Sequence, residues 1–277
     1  MAIKLIALDL DFTTLDNAGK LPDENKKALE RAIASGVNVV VASGRCHEAL
    51  PDEVTKIEGI QYAISSNGAK IKDMRTNEFI YSNCIAPEVI GRVRDIVAEN
   101  GYDIEVFTDG TAYMERSVWQ DIVDGKITYR RRQYIMTTRN PVDDVLSFMM
   151  DHADTIENIN FFFEDMSVKP AIGKVLSQLE DNATLTTSFD RNWEIGGKTT
   201  SKVHALEELG KILGVKKEEM MSFGDSPNDI PMIEAAGIGV AVANAKDPVK
   251  EAADYITASN DEAGVAKAVY KFVFGEE

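Results

Sequence analysis

Asp9 and Asp11, two carboxylates one residue apart, leave the end of the apolar run 3–8 and are followed by Phe12-Thr13-Thr14-Leu15. Side chains spaced this way in a loop can aim at one small volume, and the chemistry that suits them is attack on phosphorus beside a metal ion. Asp9 can accept a phosphoryl group as an acyl phosphate that water then cleaves, dividing one hard displacement into two easier ones. Asp11 can protonate the leaving alkoxide and then deprotonate the water. Far along the chain, Gly224-Asp225-Ser226-Pro227-Asn228-Asp229 follows another apolar run and adds two carboxylates. Four carboxylates facing a phosphate dianion would repel it at about 4 kcal/mol per unit-charge pair at ~4 Å and an effective dielectric of ~20. A hard, oxygen-seeking cation is therefore expected at Asp9, Asp11, Asp225 and Asp229, with Mg²⁺ the expected ion.

Other residues have the chemistry to hold the phosphate. Ser201 or Thr200 can cap a helix carrying Val203, Leu206, Leu209 and Leu213, which places Lys202 in its first turn. A cation there opposes the helix dipole by ~0.3–1 kcal/mol, so a bound anion should favour it. Lys198 is the competing lysine. Ser43 offers a hydroxyl and Gly44 an exposed amide at a strand-to-helix turn, Leu10 can offer its main-chain amide, and Asn228 occupies the same place in its own turn. Arg45 either reaches the substrate or pairs with an acidic neighbour. Asn67 is a turn former whose position suggests a supporting role. His47, His152 and His204 lack ligand spacing, and Arg130-Arg131-Arg132 reads as a solvated face.

These residues need a frame that brings distant segments together. Runs 3–8, 37–42, 62–65, 220–223, 239–242 and 255–257 read as buried strands separated by helices, the pattern of a mostly parallel sheet covered on both faces. Pro22 opens one helix, Asp247-Pro248 reads as cap and first residue of another, and Ser259 to Glu262 has capping-box spacing. Asp9 and Asp11, Ser43 to Arg45, Asn67, Asp225 and Asn244 all follow such strands. In an open parallel sheet these carboxyl ends form one ligand-binding rim. Residues 84–196 have a different texture: helix 87–100, then strands 104–107 and 111–114 around Asp109-Gly110, a strong hairpin signal. Helix 142–150, strand 159–163, helix 172–179 and strands 185–188 and 193–195 complete what reads as an inserted α+β domain, leaving 1–83 and 197–277 as the core.

With 30 Lys and Arg against 46 Asp and Glu, the net charge of −16 disfavours nucleic acid and points to a small phosphorylated metabolite as partner. No segment approaches the ~20 apolar residues of a membrane span, and the first residues run straight into a strand, so a cytoplasmic protein is expected. Cys46 and Cys84 read as free thiols.

At these residues the chain resembles the haloacid dehalogenase (HAD) superfamily, and within it the Cof-type phosphatases with a large α+β cap. Asp9-Leu10-Asp11 is similar to the nucleophile and acid-base motif, Ala42 to Arg45 to the phosphate motif, Ser201-Lys202 with Ala205-Leu206 to the lysine motif, and Gly224-Asp225 through Asp229 to the metal motif. Asn67-Gly68-Ala69 and Gly264-Val265-Ala266 also match. The resemblance implies a doubly wound, Rossmann-like α/β core and Mg²⁺-dependent hydrolysis of small phosphomonoesters, often sugar phosphates. It also implies that Asp9, the Asp11 carbonyl and Asp225 hold the metal while Asp229 supports it. Phe12 stands where the family usually has Gly; its ring is expected to turn into the core, so that Phe12→Gly would cost a few kcal/mol. A phosphotransferase or mutase using the same carboxylates, and a weakened phosphate-binding regulator, are the alternative readings.

Overall fold

The computed structural model describes residues 2–276. The chain divides into two compact units. One comprises the residues up to Arg45, Leu50–Ser82 and those from Ser201 onward; the other comprises Cys46–Ala49 and Asn83–Thr200.

The first unit is an eight-stranded sheet in the order Tyr255–Ile256, Ile238–Ala241, Met220–Gly224, Leu5–Leu8, Asn38–Ala42, Tyr62–Ser65, Lys70–Asp73, Glu78–Ser82. The first six strands are parallel, and the last two form an antiparallel extension. All six parallel strands were legible as apolar runs. The antiparallel pair, with its Lys and Asp, was not. Both faces of the sheet are covered. Ile6, Leu8, Val39, Val41, Met221 and Phe223 pack with Ala28, Leu29 and Ala32 of helix Asp23–Ala34 and with Val265 and Val269 of helix Gly264–Val269. The alternate residues Leu5, Ala7, Val40, Ala42 and Met220 pack with Ala205, Leu206 and Leu209 of helix Lys202–Leu213. Period-2 alternation between two apolar layers is why these strands carry almost no polar residue.

Register then sets the site. Leu8 lies opposite Phe223 on one side and Val41 on the other, so Asp9, Ser43 and Asp225 emerge at the same end of adjacent strands. The helix caps are partly as read. Ser201 caps its helix by accepting from the His204 amide at 3.2 Å, whereas Thr200 donates to the Asn83 carbonyl. Ser259 and Glu262 form the capping box. Asp247 is the first helical residue after an uncapped Lys246, so its role as cap is corrected.

The second unit is a six-stranded sheet in the order Ala183–Thr186, Asn192–Gly197, Ile156–Phe162, Asp103–Thr108, Thr111–Glu115, Arg139–Val142. Only the last pair is parallel. Helices Pro87–Asn100, Val145–Asp151 and Lys169–Leu176 cover one face through Val89, Val93, Met149 and Ile172. The Asp109-Gly110 hairpin is present with both residues at positive φ, 50° and 77°, as such a two-residue turn requires. Strand Asn192–Gly197 pairs through Gly197 with Ala183, and this unit runs on to Thr200.

The reading of the basic run as a solvated face holds for Arg131 and Arg132, which are exposed, and is corrected at Arg130. It is 9% exposed, ion-paired with the fully buried Glu105 and stacked over the Phe162 ring. Arg139 holds the other Glu105 oxygen at 2.9 Å. Burial pushes the Glu105 carboxyl up, but the two guanidinium charges outweigh it and leave the pKa below its ordinary value.

Candidate active site

Asp9 ends the first strand, its amide donating to the Phe223 carbonyl at 3.2 Å. Leu10–Thr14 follows as a tight turn in which Asp11 is extended and Phe12 sits at φ 60°, ψ 8°. Leu10 is buried, and its carbonyl closes the turn by accepting from Leu15 at 2.9 Å. The Thr14 hydroxyl donates to the Asp9 carbonyl at 2.5 Å, and Asn25 ties the Thr14 carbonyl to the Ala266 amide. Helix Gly264–Val269 thereby braces the turn that follows Asp9. Phe12 adopts the left-handed conformation that the family's Gly would favour, but its ring does not enter the core: the residue is 39% exposed. The expectation of an inward ring is corrected. With φ positive, the neighbouring Leu10 and Thr13 take the buried positions instead.

Lys202 is the centre of the site. Its side chain is 1% exposed, and Nζ donates to Asp9 Oδ1 at 2.5 Å and to Asp229 Oδ1 at 2.7 Å. Burial pulls this lysine's pKa down, but the adjacent carboxylates outweigh that and hold it above the ordinary value, so it is charged. Lys198, the competing candidate, is exposed and belongs to the second unit. Asp229 Oδ2 accepts from the amides of Asp225 and Ser226, each at 3.0 Å. A Cβ on Gly224 would stand 2.3 Å from Asp229 Cβ, so only glycine lets the strand end pass this close. The Asp225 oxygens are oriented by the hydroxyls of Thr13 at 3.0 Å and Ser226 at 2.9 Å.

Asp9, Asp225 and Asp229 are all buried, and each offers a carboxylate oxygen within 4.8 Å of the others. If all three are ionised, Lys202 leaves a net charge of about −2 in a largely buried cluster. Burial and the mutual repulsion of the carboxylates, against the pull of Lys202, raise Asp9 well above the usual range; burial, then Asp229, push Asp225 up to about 6. Such crowding fits a hard cation bound by oxygen. The Asp11 carboxylate is not in this cluster. It is held by both ends of the Arg45 guanidinium, at 2.8 and 2.6 Å, with its side chain 38% exposed. Of the two roles open to Arg45, pairing with an acidic neighbour is the one present. Among the described residues Asp9 Oδ2 makes no hydrogen bond, and no histidine joins the acidic cluster.

Ser43 is 2% exposed; its amide donates to the Ile64 carbonyl and its hydroxyl accepts from the Arg45 amide at 3.2 Å. Gly44 lies beside Asn67, and Asn67 Oδ1 in turn accepts from Asn228 Nδ2 at 3.1 Å.

The family pattern of haloacid dehalogenase-like hydrolases matches residues 6–269. The chain belongs to this family. It is a Cof-type HAD phosphatase. The 5-amino-6-(5-phospho-D-ribitylamino)uracil phosphatase YcsE of Bacillus subtilis (strain 168) is 33% identical over 275 residues, covering 98% of this chain and 96% of YcsE. The structure of a haloacid dehalogenase-like hydrolase from B. subtilis has a TM-score of 0.82 at 31% identity, covering 96% and 99% of the two chains. That of the HAD subclass IIB sugar phosphatase BT4131 has a TM-score of 0.79 at 25% identity, covering 97% and 98%. In this HAD phosphatase, the residues that sequence reading passed over are Thr13, Thr14, Asn25 and Ser226. Each is a common hydroxyl or amide whose only distinguishing feature is the carboxylate or carbonyl it meets in the fold. Among the described residues, no helix is long and apolar enough to cross a membrane.

Proposed function

We propose that this phosphatase hydrolyses small phosphomonoesters in the cytoplasm, with Asp9 as nucleophile. The observation that carries the proposal is the buried Asp9–Lys202–Asp229 chain: Lys202 and Asp229 fix Asp9 Oδ1 and leave Oδ2 for the phosphorus. The Asp9–phosphorus bond forms as the ester oxygen leaves, and Asp11 gives that oxygen a proton. Asp11 then takes a proton from water, whose oxygen attacks the phosphorus and releases Asp9 and inorganic phosphate. Ser43, the amides of Leu10 and Gly44, Lys202 and Asn228 bind the phosphoryl oxygens, and Arg45 orients Asp11. Asp9, Asp225 and the Asp11 carbonyl would hold Mg²⁺, with Asp229 in support. Bound there, Mg²⁺ supplies positive charge against the phosphoryl oxygens.

The names of YcsE and BT4131 both specify phosphate on a sugar or sugar-alcohol chain, which supports a polyhydroxylated phosphomonoester as substrate. The acidic overall charge is also consistent with a small metabolite and not a polyanion. The test is phosphate release from a panel of sugar, sugar-alcohol and nucleoside phosphates, with and without Mg²⁺, for the wild type and Asp9→Asn. Hydrolysis of the sugar and sugar-alcohol members that disappears in Asp9→Asn supports the reading. Equal turnover by Asp9→Asn overturns it.

A further inference from the structure

The turn Ser66-Asn67-Gly68 joins three parts of the first unit that the proposed chemistry uses separately. Ser66, Asn67 and Gly68 have φ of 50°, 56° and 99°. Left-handed backbone costs a serine or asparagine on the order of 1 kcal/mol each, so neighbouring contacts must hold it. The Ser66 amide donates to the Arg45 carbonyl at 2.8 Å and the Asn67 amide to the Ser43 carbonyl at 3.0 Å, fixing the turn to the phosphate loop. A Cβ on Gly68 would lie 2.2 Å from the Ser201 carbonyl, so the turn also abuts the start of the Lys202 helix. The third tie is made by a side chain. Asn67 Oδ1 accepts from Asn228 Nδ2 at 3.1 Å, and a Cβ on Gly44 would come within 3.0 Å of that same oxygen. Asn228 Oδ1, at the other end of its amide, is buried and has no hydrogen-bond partner among the described residues. A buried acceptor without a donor is uncommon and fits a group completed by a ligand.

We infer that Asn67 is a positioning residue that acts through Asn228. Its amide oxygen holds the Asn228 amide in one orientation, with the second Nδ2 hydrogen suited to a phosphoryl oxygen and Oδ1 suited to a hydroxyl or water. The strained turn keeps Asn67 against Gly44, so the phosphate loop and the Asn228 turn are set relative to each other by one side chain. This rests on the assignment of Asn228 to substrate binding.

The test compares Asn67→Gly, Asn228→Ala and the double variant by kcat and KM for p-nitrophenyl phosphate, inhibition by inorganic phosphate, and thermal unfolding. Glycine suits φ 56°, so Asn67→Gly should melt no lower than the wild type. Its kcat/KM should nonetheless fall tenfold or more and phosphate inhibition should weaken severalfold. The double variant should lie within twofold of Asn228→Ala, because the two residues act as one unit. Wild-type kcat/KM in Asn67→Gly, a double loss equal to the product of the single losses, or activity lost in step with melting temperature would overturn the inference. Wild-type behaviour of Asn228→Ala would instead remove the assignment of Asn228, and the inference with it.

Discussion

Replacing Lys202 by Met removes the only cation that contacts the buried carboxylates of Asp9 and Asp229 among the described residues. At an effective dielectric of ~20, each lost attraction is about 4 kcal/mol even at ~4 Å, and the contacts here are shorter. Part is returned because the ammonium no longer has to be desolvated, and breaking a buried pair from one side typically costs about 3–5 kcal/mol net. The loss should depend on pH. Without Lys202 the already raised Asp9 carboxyl is pushed still higher, so at pH 5 a proton takes over the neutralising role, contributing about 1.4 kcal/mol for every tenfold gain in proton affinity. At pH 8 none is available. Lys202 itself stays charged across this range, because its folded pKa is raised and its contribution is lost only above the ordinary lysine value. Urea unfolding followed by circular dichroism in excess chelator should therefore show Lys202→Met losing about 3–5 kcal/mol at pH 8 and clearly less at pH 5. Equal losses at the two pH values, or a loss under ~1 kcal/mol at pH 8, would refute the electrostatic account of the cluster.

The wild type in chelator should itself lose stability as pH rises from about 4 through 6, because folded Asp225 titrates at about 6 against an ordinary 3.8 and so binds more protons than the unfolded chain; Mg²⁺ should restore stability at pH 7 by up to about 3 kcal/mol, and a calorimetric scan showing no Mg²⁺ effect would count against the metal site. Phe12→Gly should change stability by no more than about 1 kcal/mol, since relief of the left-handed strain offsets the greater chain entropy and the ring is partly exposed; a loss of several kcal/mol in chemical denaturation would restore the inward-facing ring. Glu105→Gln leaves two arginines around a neutral group in the second unit and should destabilise it by about 3 kcal/mol or more, read by hydrogen exchange of strand Ile156–Phe162; wild-type protection there would contradict a structural role for the triad.

Much of the core was legible because parallel strands buried on both faces are written as uninterrupted apolar runs, and the rim residues follow them at fixed offsets. Lys202 could be singled out because a cation in a first helical turn runs against the dipole, and the fold explains it by two carboxylates. What could not be read is where partners lie far apart in sequence. Arg130 looks like part of a surface run until Glu105, 25 positions earlier, is brought beneath it. Thr13 and Asp225 are separated by 212 positions. Phe12 failed differently: apolar character suggested burial, while the backbone angle needed by the turn decided the ring's direction. Strand Arg139–Val142 contains Pro141 and lies at the sheet edge, where proline is tolerated and apolar periodicity is weakest.

The central claim, that Asp9 takes the phosphoryl group, is tested most directly by trapping it. Enzyme mixed with ³²P-labelled substrate and quenched in acid within one turnover should carry label on the peptide containing Asp9. Borohydride should convert that residue to homoserine, and Asp9→Asn should carry none. Product released in the first turnover with no label on the protein, or with label on a peptide lacking Asp9, would contradict the account.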